Sequence, residues 1–258
     1  MMLEAAQYGD NCFCTLTYRP EALPSDMSVH PRVLSLFVKK LRKAVRPIQL
    51  RYFGVGEYGD KSGHPHYHLA LFNFPSCLYG RTRHHVQSCC SICTSVEKAW
   101  GLGRIELGTL TPHSMAYVAG YLNKKMTRDS DPRLEGRRPE FARMSLRPGI
   151  GTGMMHELAS TLLELGTDNM VDVPAVLEHG TTRYPLGRYL RRKLRTFIGR
   201  EANAPQEALE QYAKELHPLR EAAFNASKPL KTYILQKSEG KRIQIEAKYR
   251  RKSNSRTL

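Results

Sequence analysis

The sequence lacks long hydrophobic runs and is poor in acidic side chains. Its 258 residues contain 24 Asp and Glu against 40 Lys and Arg, which gives a formal net charge of +16 and a pI of about 9.7. No window approaches the roughly 18 uncharged apolar residues of a membrane span, and the first residues contain no basic segment followed by an apolar one. We therefore expect a protein that is neither secreted nor inserted in a membrane, with a polyanionic partner.

Six cysteines are present, and four of them are clustered in one short stretch, two of these at adjacent positions. The clustering indicates reduced thiols or a metal site, and we expect a reducing cytoplasm. Cys77, Cys90 and Cys93, with His84 or His85, have the content of a structural Zn²⁺ site, and Cys90-x-x-Cys93 is a normal chelating pair. Because the spacing is irregular, reduced cysteines in a variable insertion remain the alternative.

Hydrophobic periodicity predicts alternating strands and helices in the first half of the chain. The predicted strands are 12–18, 49–57, 66–74 and 103–108, and the predicted helices are 31–45, 88–100 and 112–126. A charged, Pro-bearing stretch follows, and helical patterns recur beyond it. We therefore predict an α+β core at 1–128, a linker or loop at 129–140, and a mainly helical, basic region with a disordered tail at 141–258.

The segment GHPHYHLALF contains the sharpest local motif. Residues i and i+2 of a strand share one face, so His66 and His68 would project their imidazoles together. Glu57 precedes the hairpin loop by an odd separation from His66 and can lie cross-strand on the same face. These three side chains would form a metal site with open positions. From H-x-H alone, polar side chains of an ordinary β-hairpin remain an equal alternative.

The second motif is the helical segment 111–126. Thr111 suits the N-cap and Pro112 the first helical position. An apolar stripe follows at helical spacing: Met115, Val118, Ala119, Leu122 and Met126. Tyr117, Tyr121 and Lys124 lie on another face, about 140° away. Core packing is the usual explanation for tyrosines at this spacing, but here other residues already form the core stripe.

Together these motifs resemble the HUH endonucleases, the replication initiators, relaxases and transposases named for a His-hydrophobe-His strand. The segment CTLTY at 14–18 resembles their first motif, HYH at 66–68 the metal motif, and Y-x3-Y-x2-K at 117–124 the nucleophile motif. The wording is most similar to the initiators of small single-stranded DNA phages, of the gokushovirus type of the Microviridae. The resemblance covers about residues 11–126 and implies a central antiparallel sheet flanked by helices.

The resemblance also implies a reaction. Glu57, His66 and His68 would bind Mg²⁺ or Mn²⁺ at the scissile phosphate, and Tyr121 or Tyr117 would attack it, giving a 5′-phosphotyrosyl enzyme and a free 3′-OH. The expected partners are single-stranded origin DNA and a host polymerase, in the cytoplasm of a bacterial host. The sequence has no P-loop, so we expect a host helicase to separate the strands.

A basic stretch at 183–195 carries six arginines and one lysine with interleaved tyrosines, which suits backbone contact and base stacking. A solvated basic helix is the alternative. The DNA-binding residues predicted here and after the tyrosine helix are Lys125, Arg188, Arg191, Arg192 and Lys193. Two other functions remain open: an HUH relaxase or transposase, and a non-catalytic basic nucleic-acid-binding protein with structural zinc. The second does not explain why the metal and tyrosine motifs occur together.

Overall fold

The computed structural model describes residues 1–59, 62–80, 89–124, 129–166, 170–179, 182–240 and 243, and backbone only for 121–124, 179 and 182. The chain forms two compact units, 1–165 and 166–258. Within these described ranges, no helix is long and apolar enough to cross a membrane.

The first unit is built on one five-stranded antiparallel sheet. Its strands are β1 (Asn11–Tyr18), β2 (Arg51–Tyr58), β3 (Pro65–Phe72), β4 (Gly103–Thr109) and β5 (Phe141–Met144), in the spatial order β4-β1-β3-β2-β5. Its helices are α1 (Met2–Ala5), α2 (Pro31–Ala44), α3 (Ser91–Trp100), α4 (Pro112–Lys124) and α5 (Thr152–Glu164). The predicted α+β class, with a central antiparallel sheet and flanking helices, is confirmed.

The two faces of the sheet form two separate cores. Burial alternates strictly along β1, because successive side chains of a strand point to opposite faces. One face packs against α2 and α3, whose apolar positions surround Trp100 and Tyr67. The other face packs against Met115 and Val118 of α4. Burial of these apolar surfaces drives the three layers together, and β3, which carries the histidines, lies at the centre of the sheet.

Strand β5 lies beyond the linker predicted at 129–140, yet it pairs with β2 and completes the sheet. A Cβ added at Gly56 would lie 2.6 Å from the Phe141 ring, so the glycine leaves room for that ring to pack over the sheet. Glu4 of α1 is buried, pairs with Arg51 and accepts the Gly151 N–H at 2.5 Å. These contacts include residues up to α5 in the first unit, so the division falls after Leu165 rather than at 129–140.

The second unit is mainly helical, as predicted. It contains α6 (Arg188–Phe197), α7 (Gln206–Asn225) and further helical residues at 230–240, together with a hairpin of β6 (Val176–His179) and β7 (Thr182–Pro185) that the sequence analysis did not predict. Arg195 of α6 is only 4% exposed and forms two hydrogen bonds with Asp172, at 2.6 and 2.7 Å. This ion pair fixes α6 to the segment that precedes the hairpin. The predicted disordered tail lies outside the described residues.

Candidate active site

Strands β2 and β3 bring the three predicted metal ligands together. Glu57 is directly opposite His66 in the register, and His68 lies one same-face position further along β3. The Nε2 atoms of His66 and His68 lie 2.6 and 2.9 Å from Glu57 Oε1. The donor atoms of all three side chains lie within 4.8 Å of one another, so the group could hold a metal ion.

Both imidazoles are oriented through their other ring nitrogen. Nδ1 of His66 donates to the backbone oxygen of His64 at 3.2 Å, and Nδ1 of His68 lies 3.0 Å from the hydroxyl of Thr15. His64 is held in turn because its carbonyl accepts the Gly59 N–H at 3.0 Å. Such second partners fix the ring orientation and leave Nε2 toward the metal position. The donor set of two imidazoles and one carboxylate fits a divalent first-row ion or Mg²⁺.

The Glu57 carboxyl is ionised although it is only 2% exposed. Burial by itself would raise its pKa, but the hydrogen bonds and charges of His66 and His68 outweigh burial and lower the pKa to about 2. An ionised carboxylate is the form that binds a cation. At neutral pH the site therefore presents one negative charge and two imidazoles.

Helix α4 places Tyr117 beside this group. The Thr111 hydroxyl accepts the Ser114 N–H at 3.1 Å, which is the predicted N-cap, and Met115 and Val118 are buried as predicted. The Tyr117 side chain is 46% exposed, so it does not belong to the core. Its ring centroid lies 5.5 Å from that of His68.

The other predicted residues of this helix are only partly described. The backbones of Tyr121 and Lys124 continue α4, so Tyr121 follows Tyr117 by about one turn. Their side chains, and the whole of Lys125, lie outside the described residues. No contact is therefore assigned to them.

Two side chains of β1 contribute to the site without having been predicted to do so. Thr15 is opposite His68 in the register and contacts its Nδ1. Phe13 stacks on the His68 ring, with centroids 5.6 Å apart and an interplanar angle of 11°, and it also meets the Tyr117 ring edge-on. The only sequence signal was their position in β1, two residues apart and therefore on one face.

The predicted zinc residues are brought together with one difference. The sulfur atoms of Cys77, Cys89 and Cys93 converge, so Cys89 takes the position in the group that was predicted for Cys90. Cys90 still contacts Cys93, with 3.3 Å between the sulfur atoms. The alternative histidines at 84 and 85 lie outside the described residues.

The predicted basic residues of α6 line one side of a cavity of about 340 Å³. The lining is Arg188, Tyr189, Arg192, Lys193, Thr196 and Ala202. Arg191 is not part of it, because its guanidinium binds Asp172 at 2.5 Å. The cavity therefore combines three cations with one half-exposed aromatic ring, which suits a phosphate with an adjacent base.

Comparison with known proteins gives matches in the N-terminal half of the chain. The family of the replication-associated protein ORF2 matches residues 11–126. The chain is 36% identical over 140 residues to replication-associated protein VP4 of Bdellovibrio phage phiMH2K, covering 50% of this chain and 43% of that protein. It is 33% identical over 126 residues to replication-associated protein ORF2 of Spiroplasma virus 4, covering 45% and 39%.

A third relative is replication-associated protein ORF4 of Chlamydia phage 1, 27% identical over 134 residues, which cover 48% of this chain and 33% of the relative. The matches thus span less than half the length of each of these phage proteins. No solved structure matches the chain significantly. The matched segment contains the whole Glu57, His66 and His68 group together with α4. The family resemblance is therefore confirmed, and the domain formed by residues 11–126 belongs with the replication-associated proteins of the ORF2 family.

Proposed function

We propose that this chain is a phage rolling-circle replication initiator that nicks single-stranded origin DNA through a tyrosine and later rejoins the ends. The observation that carries the proposal is the convergence of Glu57, His66 and His68 beside the exposed ring of Tyr117. A binding protein has no need for an ionised, buried carboxylate between two oriented imidazoles. The similarity to phage replication-associated proteins supports the same function.

Glu57, His66 and His68 would hold the divalent ion, Mg²⁺ or Mn²⁺. When bound, such an ion supplies Lewis-acid polarisation of a phosphate oxygen. Thr15 and the His64 carbonyl keep the two imidazoles aimed at the ion by holding their Nδ1 atoms. Imidazole ligands favour Mn²⁺, whereas the abundance of Mg²⁺ in cells favours that ion.

The nucleophile is the phenol of Tyr117 or Tyr121. The phenolic oxygen forms a bond to the scissile phosphorus, the bond to the 3′ oxygen breaks, and that oxygen takes a proton and leaves as a 3′-OH. A free phenol has a pKa of about 10 and is a weak nucleophile at neutral pH, so a nearby positive charge is needed. Lys124, one turn beyond Tyr121 on α4, would supply it. The 5′ end stays on the enzyme as a phosphotyrosine, so rejoining needs no nucleotide cofactor.

Further partners follow from this reaction. The freed 3′-OH would be extended by a host polymerase after a host helicase separates the strands, in the host cytoplasm. Lys125 and the α6 residues Arg188, Arg192 and Lys193 would bind the DNA backbone, because cations that replace condensed counterions provide most of the affinity for single-stranded DNA. Arg191 would contribute less, since its guanidinium already binds Asp172.

The direct test is a covalent adduct. The full chain is incubated with Mn²⁺ and single-stranded DNA that carries the phage origin, and the reaction is stopped with denaturant. We expect a denaturant-stable protein–DNA band, and peptide mapping of the band should identify Tyr117 or Tyr121. A folded, Mn²⁺-loaded protein that binds this DNA but forms no adduct would contradict the proposal and favour a non-catalytic binding protein.

A further inference from the structure

Four cysteine side chains converge where the segment after β3 meets the start of α3. Cys77 follows β3, and Cys89, Cys90 and Cys93 lie at the entrance to α3 and in its first turn. The sulfur atoms of Cys77 and Cys89 are 3.8 Å apart, and those of Cys90 and Cys93 are 3.3 Å apart. None of the six cysteines, all of which are described, forms a disulfide.

These separations are those of a tetrahedral thiolate site. A Zn–S bond of about 2.3 Å gives sulfur–sulfur edges of roughly 3.8 Å in a tetrahedron. Cys77, Cys89 and Cys93 already lie within 4.8 Å of one another, so small side-chain rotations would place one ion at bonding distance from all three. A disulfide, by contrast, requires about 2.05 Å between two sulfur atoms.

The backbone at the start of α3 also favours metal binding. Cys90 is the N-cap of α3, and its sulfur accepts the backbone N–H of Cys93 at 3.4 Å. Hydrogen bonds from backbone N–H groups stabilise the thiolate form, which is the form that binds metals. The C-x-x-C turn therefore presents two sulfur atoms toward the same point, and Cys77 and Cys89 approach that point from outside the helix.

The cluster is separate from the proposed nicking site. Cys77, Cys90 and Cys93 belong to the core on the α2 and α3 face of the sheet, whereas His68 lies on the face that α4 covers. The donor chemistry differs as well. Thiolates are soft ligands that select Zn²⁺, while a carboxylate with two imidazoles accepts Mg²⁺ or Mn²⁺.

We propose that Cys77, Cys89 and Cys93 bind a structural Zn²⁺ ion, with Cys90 completing a four-cysteine set. Each thiol that becomes a ligand releases one proton to solvent, and no electron is transferred. The ion would link the segment after β3 to the first turn of α3. This proposal does not depend on DNA nicking, since a structural site is closed and holds no substrate.

The test measures metal content in the full chain purified under reducing conditions. We expect about one zinc per chain to remain after dialysis against a weak chelator, as structural zinc sites bind tightly. Replacing zinc with Co²⁺ should produce the near-ultraviolet sulfur-to-cobalt charge-transfer absorption that reports thiolate ligands. Wild-type protein without retained zinc and without this absorption would overturn the proposal, whatever the variants do.

Three variants assign the ligands. Cys93→Ser should lose the retained zinc and the cobalt absorption, and Cys90→Ser should reduce the absorption because one thiolate is lost. Cys14→Ala, which removes an equally buried thiol on β1, should keep both signals. Glu57→Ala should also keep them while losing nicking, so that failure of the zinc proposal and failure of the nicking proposal are distinguishable. A Cys90–Cys93 disulfide in freshly purified protein would instead indicate a redox pair and contradict the zinc site.

Discussion

The ring of Tyr117 meets the ring of His68 edge-on, with 5.5 Å between centroids and an interplanar angle of 82°. The two residues come from different elements, α4 and β3, and they lie far apart in the sequence. An exposed phenol is therefore held next to an imidazole that is oriented for metal binding. This proximity is the structural basis for the first two predictions.

The first prediction concerns the metal ligands. His66→Ala and His68→Ala should each lower nicking at least about 100-fold, because Lewis-acid polarisation of a phosphate is worth several kcal/mol. Excess EDTA should have the same effect on the wild-type protein. Circular dichroism and salt-dependent binding to single-stranded DNA should change little. Undiminished cleavage by the double variant, or full cleavage in EDTA, would show that these residues do not serve the reaction.

The second prediction addresses the two tyrosines. Residues four apart on a helix have Cβ atoms roughly 5 to 6 Å apart, so both phenols could reach one phosphate. Tyr117→Phe and Tyr121→Phe should each retain some single cleavage, since phenylalanine keeps the ring and removes only the nucleophile. The double variant should have none, and each single variant should fail at repeated release of circles in a multi-round replication assay.

One outcome would refute alternation between the tyrosines. If one single variant lost all cleavage while the other supported many normal rounds, the dispensable tyrosine would be structural. Lys124 follows Tyr121 by one turn, so Tyr121 is then expected to be the indispensable nucleophile. The Tyr117 ring would in that case act by packing against His68.

The third prediction tests Thr15 as a positioning residue. Thr15→Val keeps the shape of the side chain but removes the hydroxyl 3.0 Å from Nδ1 of His68. Loss of such a second partner typically weakens metal binding about 10- to 100-fold. Calorimetric titration with Mn²⁺ measures this, and Thr17→Val on the same face of β1 is the matched control. Equal Mn²⁺ affinity in both variants would assign Thr15 no role at the site.

The fourth prediction concerns stability of the second unit. Burial alone would raise the pKa of Asp172, but hydrogen bonds and charges of Arg195 and Arg191 lower it. The carboxylate therefore contributes stability above its unfolded pKa of about 3.9, and this contribution is lost as pH falls through the lower folded pKa. Asp172→Asn should destabilise this unit by about 3 kcal/mol near neutral pH, because the buried Arg195 charge loses its partner.

Thermal unfolding of the wild-type chain and the Asp172→Asn variant at neutral and acidic pH provides the measurement. The difference between the two should shrink at pH values below the folded pKa of Asp172, since the wild-type carboxyl is then neutral as well. Asp131→Asn is a suitable control, because Asp131 pairs with the exposed Arg133 in the first unit. A difference that stayed constant with pH would mean that the ion pair is not its cause.

The fifth prediction concerns the basic cavity of α6. Replacing Arg192 and Lys193 together with Gln should weaken binding to single-stranded DNA and flatten its salt dependence. For each phosphate that is no longer neutralised, the steepness of log K against log salt should fall by about 0.7. The double variant Lys214→Gln, Arg220→Gln removes the same charge from exposed positions of α7 and should leave the slope nearly unchanged. Equal slopes for the two double variants would show that only net charge matters.

Local patterns in the sequence determined much of the site. The i, i+2 spacing of His66 and His68 requires a shared face in any strand, and Thr111 with Pro112 determines where α4 starts. The spacing of Met115 and Val118 likewise separates the core stripe from Tyr117. These features depend on backbone periods that are the same in every protein, so they can be read without a structure.

Only the tertiary structure decided the contacts that depend on the pairing of distant segments. Strand β5 joins β2 because Gly56 leaves room for Phe141, and the contact of Thr15 with His68 follows from the register of β1 against β3. A register shift of one residue would turn every side chain to the opposite face, and the sequence of one strand does not fix its partner's alignment. The inclusion of Cys89 in the thiol group has the same origin, since it depends on where the chain enters α3 relative to Cys77.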